Sequence, residues 1–133
     1  MPFPVAGPKH LCTASEVATM DYVRTEHKMP TPVVRAWCSR AESSPVGMEF
    51  ILYEKIPGVD LAHLDTTVDQ PLCDDPFIEV LPDIVQFEAN LFKTAFAQVG
   101  SIYYKEEVPE ALRSRALYAD WVTPSENSAR FRG

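Results

Sequence analysis

The sequence predicts an α+β fold, because an amphipathic helical pattern near its start is followed by two β-branched and aromatic runs close enough to pair, and then by further helical patterns beyond a Pro-Gly break. Pro2, Pro4, Gly7 and Pro8 predict an extended lead-in over 1–12, with nothing regular before Thr13. Thr13-Ala14-Ser15-Glu16 has the spacing of a capping box, and Val17, Met20 and Val23 follow at near-helical intervals, so a helix is expected over about 13–26. Pro30 and Pro32 end it. Val33-Val34-Arg35-Ala36-Trp37-Cys38 reads as a strand over about 33–38, Ser39 to Gly47 as a polar loop, and 48–54 as a second strand antiparallel to the first.

The second strand carries the sharpest local signal. Pro45-Val46-Gly47 is a turn, Met48 to Tyr53 a mostly apolar run, and Glu54-Lys55-Ile56-Pro57-Gly58 sets a charged pair against a Pro-Gly stop, as in a strand whose far end offers its backbone to a ligand. A short helix can start at Val59-Asp60-Leu61, and 63–76 is a polar, acidic loop. From Pro82, placed in a first turn, Ile84, Phe87 and Leu91 form the best amphipathic stripe in the chain, giving a helix over 84–94. Gly100-Ser101-Ile102-Tyr103-Tyr104 reads as a turn entering a short strand, Val108 to Leu117 as a helix, and 123–133 as a polar tail.

Composition narrows the function classes. The 133 residues suit one domain, and 46% hydrophobic with 23% charged residues are globular values. The net charge of −7, with basic residues scattered singly from Lys9 to Arg132, argues against a nucleic-acid partner, and no apolar run approaches a membrane span. Cys12, Cys38 and Cys73 are odd in number and widely spaced, and Met1-Pro2-Phe3-Pro4 lacks a signal-peptide layout, so reduced thiols in an intracellular compartment are expected. His10 with Cys12 is half a metal site without a second pair. Asp69, Asp74 and Asp75 lack the fixed spacing of a calcium loop and read as a solvated acidic face.

Taken together, Ala6-Gly7-Pro8-Lys9-His10-Leu11, the run Thr13 to Asp21, Pro45-Val46-Gly47 and Gly100-Ser101-Ile102-Tyr103-Tyr104 resemble the aminoglycoside-phosphotransferase-like family, close to the fungal altered-inheritance-of-mitochondria kinase-like proteins, over most of residues 4–105. The resemblance implies a protein-kinase-like fold, ATP with Mg²⁺, and phosphoryl transfer to a small acceptor. Residues 1–58 would be a partial N-lobe of helix, strand pair and hinge at 54–58. Residues 59–133 would be an incomplete helical C-lobe with a polar tail. Tyr53, Glu54, Lys55 and Ile56 match the inter-lobe hinge, where adenine meets the Glu54 carbonyl and the Ile56 N–H. A plain strand end gives the same letters. Glu16 matches the helix glutamate that orients a phosphate-gripping cation, although its capping box explains it without that role. Tyr103 and Tyr104 are expected to pack rather than react.

The rest of the chemistry is not legible. His63-Leu64-Asp65, with Gln70 where an Asn would stand, comes five residues after Gly58 and before any long helix, so a solvated loop is the expected reading. No later His-x-Asp and no Asp-x-Gly follows. The expectation is a truncated family member without catalytic or metal-binding residues of its own, binding neither ATP nor Mg²⁺ productively. Two alternatives stay open: an interaction module whose exposed sheet edge and apolar helix 84–94 meet a homologous or other protein, and a mis-bounded fragment of an active enzyme. The family leans mitochondrial, whereas the absence of an Arg-rich presequence leans cytoplasmic.

Overall fold

The structure is a computed structural model and describes residues 9–58 and 76–133. It is α+β, with helices α1 (Lys9–Glu26) and α2 (Pro76–Phe92) and strands β1 (Val34–Cys38), β2 (Phe50–Tyr53), β3 (Tyr103–Tyr104) and β4 (Phe131–Arg132). Short 3₁₀ turns lie at Ala41–Ser43, Glu110–Leu112 and Asn127–Arg130. The chain forms two compact units. One contains residues up to Lys55 together with Ala95–Gly133, and the other is Ile56–Thr94.

In the larger unit α1 is the organising element. Thr13, Ala14, Val17, Ala18 and Tyr22 recur at helical spacing and are all buried. The small Ala14 and Ala18 let neighbouring backbone approach closely, and α1 packs against β1, β2, β3 and the Asn127–Arg130 turn. The helix starts at Lys9 rather than near Thr13, because nothing between Lys9 and Cys12 opposes helical geometry once Pro8 is passed. At its other end Lys28 takes a left-handed conformation (φ 56°), the Met29 N–H reaches the Val23 carbonyl at 3.2 Å, and Lys28 Nζ donates to the Thr25 carbonyl at 2.7 Å.

Strands β1 and β2 pair antiparallel as expected, with Trp37 opposite Ile51 and Cys38 opposite Phe50. The register shifts by one residue between Val34 and Ala36, which leaves Arg35 as the extra residue of a bulge. A second antiparallel pair joins β3 to β4, Tyr104 opposite Phe131. Ala18, Tyr22, Leu117 and Phe131 form the core cluster, flanked by Val23, Ile102, Tyr104 and Tyr118.

Three expectations for the second half are corrected. Val108 to Leu117 is not a helix: Pro109 opens a single 3₁₀ turn, and Ala111, Leu112 and Ala116 face solvent, so no apolar stripe exists to hold a longer one. The stretch 123–133 is not a free polar tail, since it delivers Phe131, fully buried, into the core. In the smaller unit Pro82 lies inside α2 rather than in its first turn, because the apolar pattern extends back to Pro76. Along that helix Ile84 and Phe87 are half-buried while Val85, Leu91 and Phe92 are exposed. The expected helix start at 59–61 and the acidic loop, with His63, Asp65, Asp69, Gln70, Asp74 and Asp75, lie outside the described residues.

Candidate functional site

At the far end of β2 the Glu54 N–H donates to the Val33 carbonyl at 3.0 Å and prolongs the strand pair by one residue. The Glu54 carboxylate turns back on the same partner strand. Oε1 accepts the Val33 N–H at 3.0 Å, and Oε2 pairs with Arg35 Nη2 at 3.3 Å. The bulge brings Arg35 within reach of this carboxylate. The bond to Val33 gives a strand-end amide its acceptor, worth about 1 kcal/mol, whereas the exposed ion pair contributes less. With the carboxylate so engaged, main-chain groups remain at this strand end beside the exposed Tyr53 and Lys55 side chains. Among the described residues nothing donates to the Glu54 carbonyl and nothing accepts from the Ile56 N–H. Tyr53, Lys55 and Ile56 are exposed, and the two compact units part between Lys55 and Ile56, inside this segment.

The capping role of Glu16 is corrected by the earlier start of α1. Thr13 sits in the second turn, where its backbone N–H needs no cap, and its buried hydroxyl instead donates to Glu49 Oε2 at 2.7 Å. Glu16 is exposed and makes no hydrogen bond or ion pair with any described residue. The carboxylate that ties α1 to the sheet is therefore Glu49, which no local pattern singles out.

The most developed polar cluster lies two turns further along α1, at Asp21. Tyr104 Oη donates to Asp21 Oδ2 at 2.7 Å, and Arg130 Nη2 lies 3.3 Å from the same oxygen. The Tyr104 ring is stacked between Trp37 (6.2 Å) and Phe131 (5.5 Å). Burial pushes the Tyr104 phenol well above its ordinary range, the hydrogen bond to Asp21 and that carboxylate's charge add to the effect, and Arg130 opposes it. Such a phenol is a poor proton donor and no base at neutral pH, so the cluster holds elements together rather than reacting. Close by, the Tyr22 and Tyr118 hydroxyls are 3.0 Å apart, and Glu26 Oε2 accepts from Ser125 Oγ at 2.6 Å. The packing expected of Tyr104 is thus realised, and the runs Thr13–Asp21 and Gly100–Tyr104 meet at this bond.

The residues can be tested against the groups the resemblance implies. For Mg²⁺, no set of three or more His, Cys, Asp or Glu side chains among the described residues is gathered to hold an ion. Cys12 and Cys38 are free thiols. For adenine, the Glu54 carbonyl and the Ile56 N–H are groups of the right kind, each without a partner among the described residues.

No family model and no solved structure matches the chain. Sequence comparison does place it beside a group of fungal proteins several times its length. It is 38% identical over 110 residues to a subtelomeric hrmA-associated cluster protein of Aspergillus fumigatus, covering 81% of this chain and 20% of that protein. It is also similar to altered inheritance of mitochondria protein 9, mitochondrial, with 30% identity over 103 residues in Lachancea thermotolerans (73% of this chain, 16% of that protein) and 28% over 106 residues in Komagataella phaffii (78% and 17%). The chain spans a fifth or less of the length of these curated relatives.

Proposed function

We propose that this chain is a catalytically silent section of a kinase-like phosphotransferase fold, in which α1 and the β1–β2 pair are the inner part of the smaller lobe and Tyr53–Ile56 its hinge. The carrying observation is the engagement of the Glu54 carboxylate by Val33 and Arg35, which leaves the Glu54 carbonyl and the Ile56 N–H, neither with a partner among the described residues, to meet a ligand, as adenine recognition at a hinge requires. The exposed Glu16, with no cation paired to it among the described residues, supports silence, because phosphoryl transfer depends on a fixed phosphate-gripping charge and on metal-held phosphates. In a complete enzyme of this kind ATP supplies the transferred phosphoryl group. Here Glu54 and Ile56 would only orient the adenine. Because the altered-inheritance relatives are named mitochondrial, a mitochondrial location is part of the proposal.

An NMR titration of the chain with Mg-ATP tests it. Expected are weak, fast-exchange shifts of the Lys55 and Ile56 amides, with a Kd of about 1 mM or weaker, and no phosphate release. Release of phosphate, or a Kd below about 10 μM, would contradict silence. Unmoved 54–58 amides would remove the hinge.

The sheet edge fits the same reading. Among the described residues β1 and β2 have no third strand, while Leu52 and Tyr53 are 58% and 54% exposed. In relatives of which the matched stretch is a fifth or less, further strands of the same protein would pair there. Without them the chain is expected to self-associate as its concentration rises. Light scattering that stays monomeric up to about 100 μM would count against an open edge.

A further inference from the structure

We propose that a second region, independent of the hinge, binds the phosphate of a phosphate monoester. The chain carries a net charge of −7, yet His10, Arg40, Arg113 and Arg115 all line one cleft of about 560 Å³. His10 comes from the first turn of α1, Arg40 from the loop after β1, and the two other arginines from the turn after Glu110–Leu112. Ser101 adds a hydroxyl. A cleft of this size suits a small ligand.

Two of the three guanidinium groups are fixed without being neutralised. Arg113 donates through Nε to the Val108 carbonyl (3.2 Å) and through Nη2 to the Glu106 carbonyl (3.3 Å), both uncharged acceptors that orient the fork and leave its charge intact. Arg115 Nη1 reaches Gln98 Oε1 at 3.4 Å, again a neutral partner. The Arg40 guanidinium has no partner among the described residues. Glu106 and Glu107 also line the cleft, but neither carboxylate comes within the 4.0 Å of an ion pair with any of these arginines. The three guanidinium groups share the cleft with Glu106, Glu107 and the terminal Gly133 but form an ion pair with none of them, so a bound anion supplies the direct charge partner that each lacks. Planar forks match phosphate oxygens, and a dianion balances the group better than a single carboxylate. Next to the cleft, and sharing Gln98, Val99 and Gly100 with it, an apolar hollow lined by Phe96, Ile102 and Leu117 offers room for an apolar body on the same ligand.

Calorimetric titration of the 133-residue chain at low salt tests the site, with phenyl phosphate as the soluble probe, vesicles of phosphatidylcholine containing phosphatidic acid as the lipid probe, and benzoate as the carboxylate control. Saturable binding of either phosphate, and weaker binding of benzoate, is expected; the arm that binds identifies the source. Arg40→Ala, a change at an exposed side chain whose guanidinium has no partner among the described residues, should weaken phosphate binding about tenfold. The double variant Glu106→Gln/Glu107→Gln should tighten it about two- to threefold, a gain that misfolding cannot imitate. The proposal is overturned if neither phosphate binds, if benzoate binds as well as phenyl phosphate, or if Arg40→Ala leaves the affinity unchanged. None of these results depends on adenine recognition at 54–58.

Discussion

Replacing Phe131 with alanine is expected to lower stability by about 3–5 kcal/mol, the usual loss for a large aromatic removed from a core. Phe131 is fully buried, edge-on to Tyr22 at 5.4 Å, stacked on Tyr104 at 5.5 Å, and covered by the Arg130 guanidinium 5.0 Å from its ring centre. Its strand also closes the β3–β4 pair, so the ring is the anchor that holds the last residues to α1. Among the described residues the core cluster contains Ala18, Tyr22 and Leu117 besides it, so the ring is a large share of a small core, and close packing leaves its vacated space only partly refilled. Against a typical total of about 5–15 kcal/mol, such a loss leaves much of the chain unfolded near body temperature. Urea denaturation followed by circular dichroism measures it, and Phe131→Leu should recover roughly half by retaining apolar volume. A loss under about 1 kcal/mol for the alanine variant would mean that 123–133 does not belong to the core.

That anchor shows what a linear reading can and cannot see here. Helix α1 and the β1–β2 pair were legible because their signals are local: apolar spacing on one side, β-branched and aromatic runs bounded by Pro and Gly on the other. Phe131 stands alone among polar neighbours, and its meaning comes from Tyr104, 27 positions earlier, so a local window reads a tail. The same limit applies at the candidate sites. Glu54 was recognisable as a strand end, but its use of Val33 and Arg35 depends on register and on a one-residue bulge. Thr13 and Glu16 formed a convincing capping box, which lost its role once the helix began one turn earlier and Thr13 turned to Glu49. The arginines of the cleft are isolated in sequence, Arg40 standing more than 70 positions before Arg113, and only the fold gathers them. The larger unit therefore owes α1, β1 and β2 to local pattern and its polar chemistry to long-range contact.

Asp21→Ala is expected to cost about 2 kcal/mol, because it strips the half-buried Tyr104 hydroxyl of a charged acceptor. Arg130, 43% exposed, adds little to that figure, since solvent screens its pair with Asp21. Tyr104→Phe should lose slightly less. The double variant should lose less than the sum, which identifies one shared bond. The phenol also sets a pH dependence. Burial first, then the Asp21 hydrogen bond and charge, raise its folded pKa above an unfolded value of about 10, so the fold favours the protonated form. Its contribution is complete below about pH 10 and fades as pH climbs from there towards the folded value. Tyr118, raised chiefly by burial, adds a second contribution of the same sign. Stability measured between about pH 8 and 12 should therefore fall steeply in the unmodified chain and less steeply in Tyr104→Phe, where only the Tyr118 share remains. Asp21→Asn separates the two roles of the carboxylate: it keeps an acceptor for the hydroxyl while removing the charge, so it should retain more neutral-pH stability than alanine and still soften the alkaline fall. An alkaline profile identical in the unmodified chain and Tyr104→Phe would show that the Asp21–Tyr104 bond does not join α1 to β3.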